Sequence, residues 1–133
     1  MFNLVGLGGT FDHLHKGHKL LIKTALKVSH HIVIGLATEQ LLKNKKYASK
    51  LEEYSMRKKS LENYINTFAD LDRVTIVDLN EPYGPPIREE KYEGIVVSQE
   101  TYATAIKINE LREEKGFDPL IIVVIPIVKD KDN

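Results

Sequence analysis

Short apolar runs recur along the chain, separated by longer stretches in which apolar and polar residues mix. The runs at 3–7 (NLVGL), 31–37 (HIVIGLA), 73–79 (RVTIVDL), 94–98 (GIVVS) and 120–127 (LIIVVIPI) are rich in Val and Ile and too short for helices. Their apolar character is nearly continuous, as a parallel strand covered on both faces requires. The intervening stretches have helical spacing instead. Residues 17–28 place Leu21, Ala25 and Val28 on one stripe, and residues 55–68 do so with Leu61, Tyr64, Ile65 and Phe68. Residues 101–115 do so with Ala105, Ile108 and Leu111 and end at Gly116, with Pro119 just beyond, a helix stop.

The resulting order, β-α-β-α-β-loop-β-α-β, predicts a single-domain, doubly wound (Rossmann-like) α/β fold: five parallel strands with helices on both faces. Residues 80–93 (NEPYGPPIREEKYE) break the pattern, and Pro82, Pro85 and Pro86 make them a loop. A loop of that length either builds a site or is a peripheral connection, and its composition fits both.

Composition narrows the class. At 133 residues the chain is one domain, long enough to bury a core without staples, and without cysteine it has neither disulfides nor thiolate metal sites. No apolar run nears the roughly 20 residues of a membrane span, and the N-terminus leads into a strand rather than a signal peptide, so a cytoplasmic location is expected. Nineteen basic residues balance nineteen acidic ones, leaving no global field for nucleic acid or a membrane. The charge is nonetheless uneven. Residues 43–59 carry seven basic side chains against two acidic, and residues 78–93 carry five acidic against two basic. A local basic segment in a neutral chain suits a small anionic ligand.

In doubly wound folds ligands bind beyond the carboxyl ends of the strands, where the strand order reverses. The stretch GGTFDHLHKGHKLL, residues 8–21, falls there. Gly8 and Gly9 are expected to let the backbone turn sharply and approach a ligand. The helix that follows brings its positive N-terminal end to the same crevice, a seat for phosphate. His15 and His18 share a helix face, with Gly17 leaving room beside them. Three uses of these histidines stay open: metal ligands, helix caps or core residues, and donors to oxyanions. For a metal the set lacks a third ligand beyond Asp12, so no metal site is expected. His13 has no evident direction and is read as exposed or structural.

Gly9-Thr10-Phe11-Asp12 followed by His15-Lys16-Gly17-His18 resembles the T/HxGH signature of the nucleotidyltransferase superfamily. The resemblance implies in-line attack of a substrate phosphate on the α-phosphate of a nucleoside triphosphate, with release of pyrophosphate. Gly8, Gly9, Thr10, Phe11, Asp12, His15, Gly17 and His18 would then bind nucleotide. His18 would steady the transition state, Thr10 would hold the incoming phosphate, and His15 would contact the nucleotide's phosphates. The chemistry needs no covalent nucleophile: an ionised phosphate attacks and pyrophosphate leaves, so positioning and charge neutralisation suffice.

The later stretch VVSQETYATAIKINELREEKGFDPLIIVVI, residues 96–125, is similar to archaeal and eukaryotic-type phosphopantetheine adenylyltransferases. The matching positions are Ser98, Glu100, Thr101, Lys107, Asn109, Glu110 and Arg112. Ser98, Glu100 and Thr101 would border the nucleotide from the far side of the crevice. A plain helix cap is the simpler reading of that turn, and solvated helix charges are the simpler reading of Lys107 and Arg112. The resemblance further implies a lysine bridging both phosphates, best aligned with Lys45 and flanked by Lys43 and Lys46, after Thr38 at a strand end. Arg57 either reinforces that site or faces water, and Lys58 and Lys59 face water.

The activity that the resemblance implies is transfer of an adenylyl group from ATP, with Mg²⁺, to 4′-phosphopantetheine. The product would be dephospho-coenzyme A, in coenzyme A biosynthesis, and the chain is expected to be monomeric. Dephospho-coenzyme A or coenzyme A would also bind. Relatives continue past the last strand into an Ile-Ser-Ser-Thr-Arg stretch that binds the outer phosphates of ATP, which the sequence up to Asn133 does not contain; weak nucleotide binding is the expectation. The rival readings are another nucleotidyltransferase (cytidylyl-, FMN- or NMN-adenylyl-) and a nucleotide- or coenzyme-binding module without catalysis.

Overall fold

The computed structural model describes residues 1–43 and 51–128. The strands are β1 (Phe2–Gly9), β2 (Ser29–Ala37), β3 (Val74–Leu79), β4 (Gly94–Val97) and β5 (Ile121–Val124). The helices are α1 (Lys16–Val28), α2 (Glu39–Leu42), α3 (Tyr54–Asn66) and α4 (Tyr102–Glu114). The strands form one parallel sheet in the order β3-β2-β1-β4-β5. The order reverses between β1 and β4, which places the crevice at their carboxyl ends.

Alternation along each strand sorts side chains to the two faces. Val5, Leu7, Ile32, Ile34 and Leu36 pack under Leu21, Ile22, Ala25 and Leu26 of α1 and Leu61 and Ile65 of α3. Val33, Ile95 and Val97 pack on the opposite face, under Ala105 and Ile108 of α4. Each fully buried aliphatic side chain contributes roughly 1.5–3 kcal/mol. The doubly wound architecture is therefore as the pattern predicts.

The boundaries differ in instructive places. β1 runs on through Gly8 and Gly9, which pair with Gly35 and Leu36; neighbouring strands supply the order that glycine's low strand preference withholds. β2 begins at Ser29, the residue that also ends α1, so no loop separates the two. β5 stops at Val124, two residues before Pro126, which has no N–H for the ladder. The four-residue α2 has too few turns to show periodicity. Its cap is Thr38, whose Oγ1 accepts the Leu41 N–H at 3.4 Å and donates to Asn80 Oδ1 at 2.8 Å.

Two arginines sit where the helical pattern calls for apolar residues. Arg57 and Arg112 are each only 1% exposed, so neither faces water. Arg57 Nε donates to Glu52 O (2.9 Å), and Nη1 donates to Thr10 O (3.0 Å) and Ala37 O (2.8 Å). It thereby fastens the ends of β1 and β2 to the segment leading into α3. Burial draws the Arg112 pKa below the usual guanidinium range, against the opposing pull of Glu90 and Asp118. Lys107, by contrast, lies in solvent paired with Glu110 at 3.4 Å.

A further tie joins α3 to β3. Tyr54 Oη donates to Asp78 Oδ1 at 2.5 Å. Its pKa is pushed up to about 12, by burial first and then by the hydrogen bond and charge of Asp78. A phenol whose pKa rises on folding stabilises below its unfolded value of about 10, and that contribution is lost as pH climbs through the folded value. The stability difference between wild type and Tyr54→Phe, measured by urea unfolding, is expected to hold up to about pH 9 and to disappear by about pH 12. A difference that stays constant across that range would show that Tyr54 ionises equally in both states.

Candidate active site

The turn after β1 is made by Phe11 and His13, with φ values of 50° and 46°, and not by Gly8 or Gly9, which lie in the strand. Left-handed backbone at non-glycine residues is held by its surroundings. The Phe11 ring is 1% exposed, within the core beneath α1. The His13 N–H donates to Glu52 Oε1 at 2.8 Å, and Asp12 Oδ1 accepts the Glu52 N–H at 2.7 Å. The expected role of Gly8 and Gly9 in turning the chain is thus corrected; their contribution is space.

His15 and His18 open α1 as a reciprocal cap. His15 Nδ1 accepts the Gly17 N–H at 3.1 Å, and His18 Nδ1 accepts the His15 N–H at 3.2 Å. The two rings stack at 3.7 Å between centroids, and Phe11 lies 5.2 Å from His18. Capping and ligand binding, separate alternatives on sequence, are compatible here. A ring nitrogen that accepts a backbone N–H carries no proton, so each neutral imidazole is the Nε2–H form. A Cβ on Gly17 would lie 3.0 Å from His15 Cε1 and 3.2 Å from Nδ1, so a larger residue there would push the capping ring aside by a few tenths of an ångström. ¹⁵N NMR of the imidazoles near neutral pH is expected to show both rings protonated at Nε2; protonation at Nδ1 of either would break the cap.

Thr10 is half-buried and lines a cavity of about 250 Å³ together with Gly8, Gly9 and Thr101. The floor is glycine, at Gly6, Gly8 and Gly35; Leu79, Val97 and Ile108 contribute apolar walls. One side is formed by the loop before β4, through Pro82, Tyr83, Gly84, Pro85, Pro86 and Tyr92. The loop thus forms part of the cavity wall. Gly84 has φ 70°, and Glu81 accepts the N–H groups of Tyr83 (3.0 Å) and Gly84 (2.6 Å), which shapes the bend.

Beyond β4, Ser98 is half-buried and Glu100 exposed. Thr101 occupies the cap position of α4 without making the cap bond; its Oγ1 accepts the Ser98 N–H at 3.2 Å and lies 3.4 Å from Ser98 O. The plain-cap reading is corrected accordingly. Lys43 is exposed where α2 ends, and Lys45 and Lys46 lie outside the described residues.

Among the described residues, the side chains grouped closely enough to hold an ion are Asp12, His13 and Glu52, with ligand atoms within 4.8 Å of one another. This differs from the His15–His18–Asp12 set weighed on sequence. One oxygen of each carboxylate already accepts a backbone N–H. The others lie 3.6 Å (Asp12) and 3.9 Å (Glu52) from the His13 ring.

The cytidylyltransferase-like family matches residues 7–133. The chain is 44% identical over 132 residues to the phosphopantetheine adenylyltransferase of Pyrococcus abyssi, spanning 98% of this chain and 82% of that protein. The chain belongs to the phosphopantetheine adenylyltransferases. It is 34% identical to the Saccharomyces cerevisiae protein of that name, over 98% of this chain and 43% of that one. The crystal structure of a protein of unknown function from Archaeoglobus fulgidus superposes with a TM-score of 0.78 at 33% identity, over 94% of this chain and 89% of that one.

Sequence reasoning missed the apolar cavity of this adenylyltransferase. The signal was present as glycines inside strand patterns, at Gly6 and Gly35, where strands otherwise carry packed side chains. Asn109, matched only by resemblance, is a structural clasp: its side chain donates to Leu120 O (3.1 Å) and accepts the Leu120 N–H (2.7 Å). No described helix is long and apolar enough to cross a membrane.

Proposed function

We propose that the chain transfers the adenylyl group of ATP to 4′-phosphopantetheine, forming dephospho-coenzyme A and pyrophosphate, with the reaction centred on Thr10, His15 and His18. The observation that carries this reading is the junction of two unlike environments. The start of α1, with its two Nε2–H imidazoles, follows Thr10 in the chain, and Thr10 lines the largely apolar cavity. An acceptor with a phosphate at one end and a long uncharged arm matches both parts.

In this reading a phosphate oxygen of the acceptor attacks the α-phosphorus as the bond to the pyrophosphate oxygen breaks in line. Charge accumulates on the equatorial oxygens, and donors aimed there lower the barrier. His18 donates to the α-phosphate, His15 to the neighbouring nucleotide phosphates, and Thr10 to the incoming phosphate. Ser98, Glu100 and Thr101 border the nucleotide across the crevice. The lysine segment, through Lys45 with Lys43 and Lys46, bridges the two phosphates. ATP enters as its Mg²⁺ complex; the ion prefers hard oxygen ligands, which the phosphates and water supply.

The test is pyrophosphate release with ATP or CTP against 4′-phosphopantetheine, FMN and NMN. Turnover is expected with ATP and 4′-phosphopantetheine alone. Turnover confined to CTP or to another acceptor would overturn the reading, and tight binding without turnover would favour a coenzyme-binding module.

A further inference from the structure

The loop over residues 80–93 walls the cavity yet has little regular structure, a single 3₁₀ turn at Pro85–Ile87. A wall of that kind needs an external frame. α4 also lines the cavity, through Thr104 and Ile108, and four residues beyond Ile108 it supplies Arg112.

The buried Arg112 guanidinium reaches into the loop. Nη1 donates to Pro86 O (2.7 Å) and Glu89 O (3.1 Å), and Nη2 donates to Glu90 O (3.3 Å) and Tyr92 O (3.2 Å). Nε donates to Asp118 O at 2.8 Å, beyond the end of α4. All five bonds end on backbone carbonyls, so the side chain fixes the path of the chain and not a charge pairing. From the C-terminal cap of α4, Lys115 Nζ donates to Ile87 O at 2.7 Å. The loop wall of the cavity is therefore held against α4.

We propose that Arg112 is a positioning residue for the acceptor: by clamping the loop to α4 it sets the width of the cavity and so selects the arm that enters. It touches neither substrate, and the nucleotide end of the site, at Thr10 and the start of α1, lies outside its contacts. The inference rests on the reading that the acceptor's arm occupies this cavity.

Lysine is the informative substitution, because a point charge cannot reproduce a planar fork across four loop carbonyls. For Arg112→Lys the expected result is a KM for 4′-phosphopantetheine raised at least about tenfold, with the KM for ATP changed less than about twofold. Lys115→Gln, at an exposed position, is expected to move the same parameter in the same direction by about threefold, and it carries the test if Arg112→Lys does not fold cooperatively. Hydrogen exchange supplies a readout apart from turnover. Acceptor binding is expected to protect amides within 83–92 in wild type and less so in either variant, with residues 8–18 behaving alike in all three. Folded variants with an unchanged acceptor KM, or with both KM values rising in parallel, would overturn the role of Arg112. Acceptor protection of 8–18 without 83–92 would overturn it while leaving the proposed reaction intact. A wild type that neither binds nor turns over 4′-phosphopantetheine would instead overturn the reaction.

Discussion

His18→Ala is expected to lower kcat by about a thousandfold while KM for each substrate moves far less. Removing a single well-placed donor from a site of this type costs about 10²–10³ in rate, because the lost bond is strongest when charge accumulates in the transition state. The same substitution removes the acceptor for the His15 N–H, half of the cap on α1, at about 1 kcal/mol of stability. The two effects separate in measurement: steady-state kinetics report the first, and urea unfolding reports the second. A kcat within a few-fold of wild type would exclude His18 from the chemistry and leave it a cap alone.

Arg57→Met is expected to be strongly destabilising, at about 3–5 kcal/mol. It strands three carbonyls, those of Thr10, Ala37 and Glu52, that the guanidinium now satisfies. Each buried acceptor left without a donor costs about 1–3 kcal/mol. Against the roughly 5–15 kcal/mol that holds a domain together, such a loss is large. Two of those carbonyls belong to Thr10, just past β1, and Ala37, the last residue of β2, so kcat is expected to fall as well, Thr10 being displaced. Chemical unfolding of Arg57→Met beside Arg57→Lys checks the assignment. A loss below about 1 kcal/mol would mean that the carbonyls find other partners and that the arginine is no strut.

The sheet and its two covered faces were legible because they depend on features a linear pattern records well: β-branched runs for strands, and three- and four-residue spacing for α1, α3 and α4. The His15–Gly17–His18 arrangement was also legible in part, since spacing along a helix is local. Its hydrogen bonds were not. That one imidazole caps Gly17 and the other caps His15 depends on rotamers that the letters do not encode. Arg57 and Arg112 mislead for a related reason. A charged residue on a helix is exposed by default, and it becomes core only where several distant carbonyls converge on it. The apolar cavity was invisible for the same cause: its lining comes from β1, β2, residues 80–93 and α4, which meet only in three dimensions.

The crevice between β1 and β4 has a consequence for how the protein comes into being. Those two strands pair directly, and the N-terminal Asn3 accordingly bonds to Glu93, 90 positions away. Contacts of such separation close late, because the entropy of a long loop must be met before they form. On a ribosome, β1, α1 and β2 emerge before Glu52 and Arg57, which hold the turn ahead of the stacked histidines, so the histidine end of the site is set only once α3 has followed. The strand that closes the crevice, the helix that clamps its loop and the last edge strand are all still to come. Activity therefore cannot precede closure of the crevice by β4, and a chain stalled midway through synthesis displays half of a phosphate site without the means to use it.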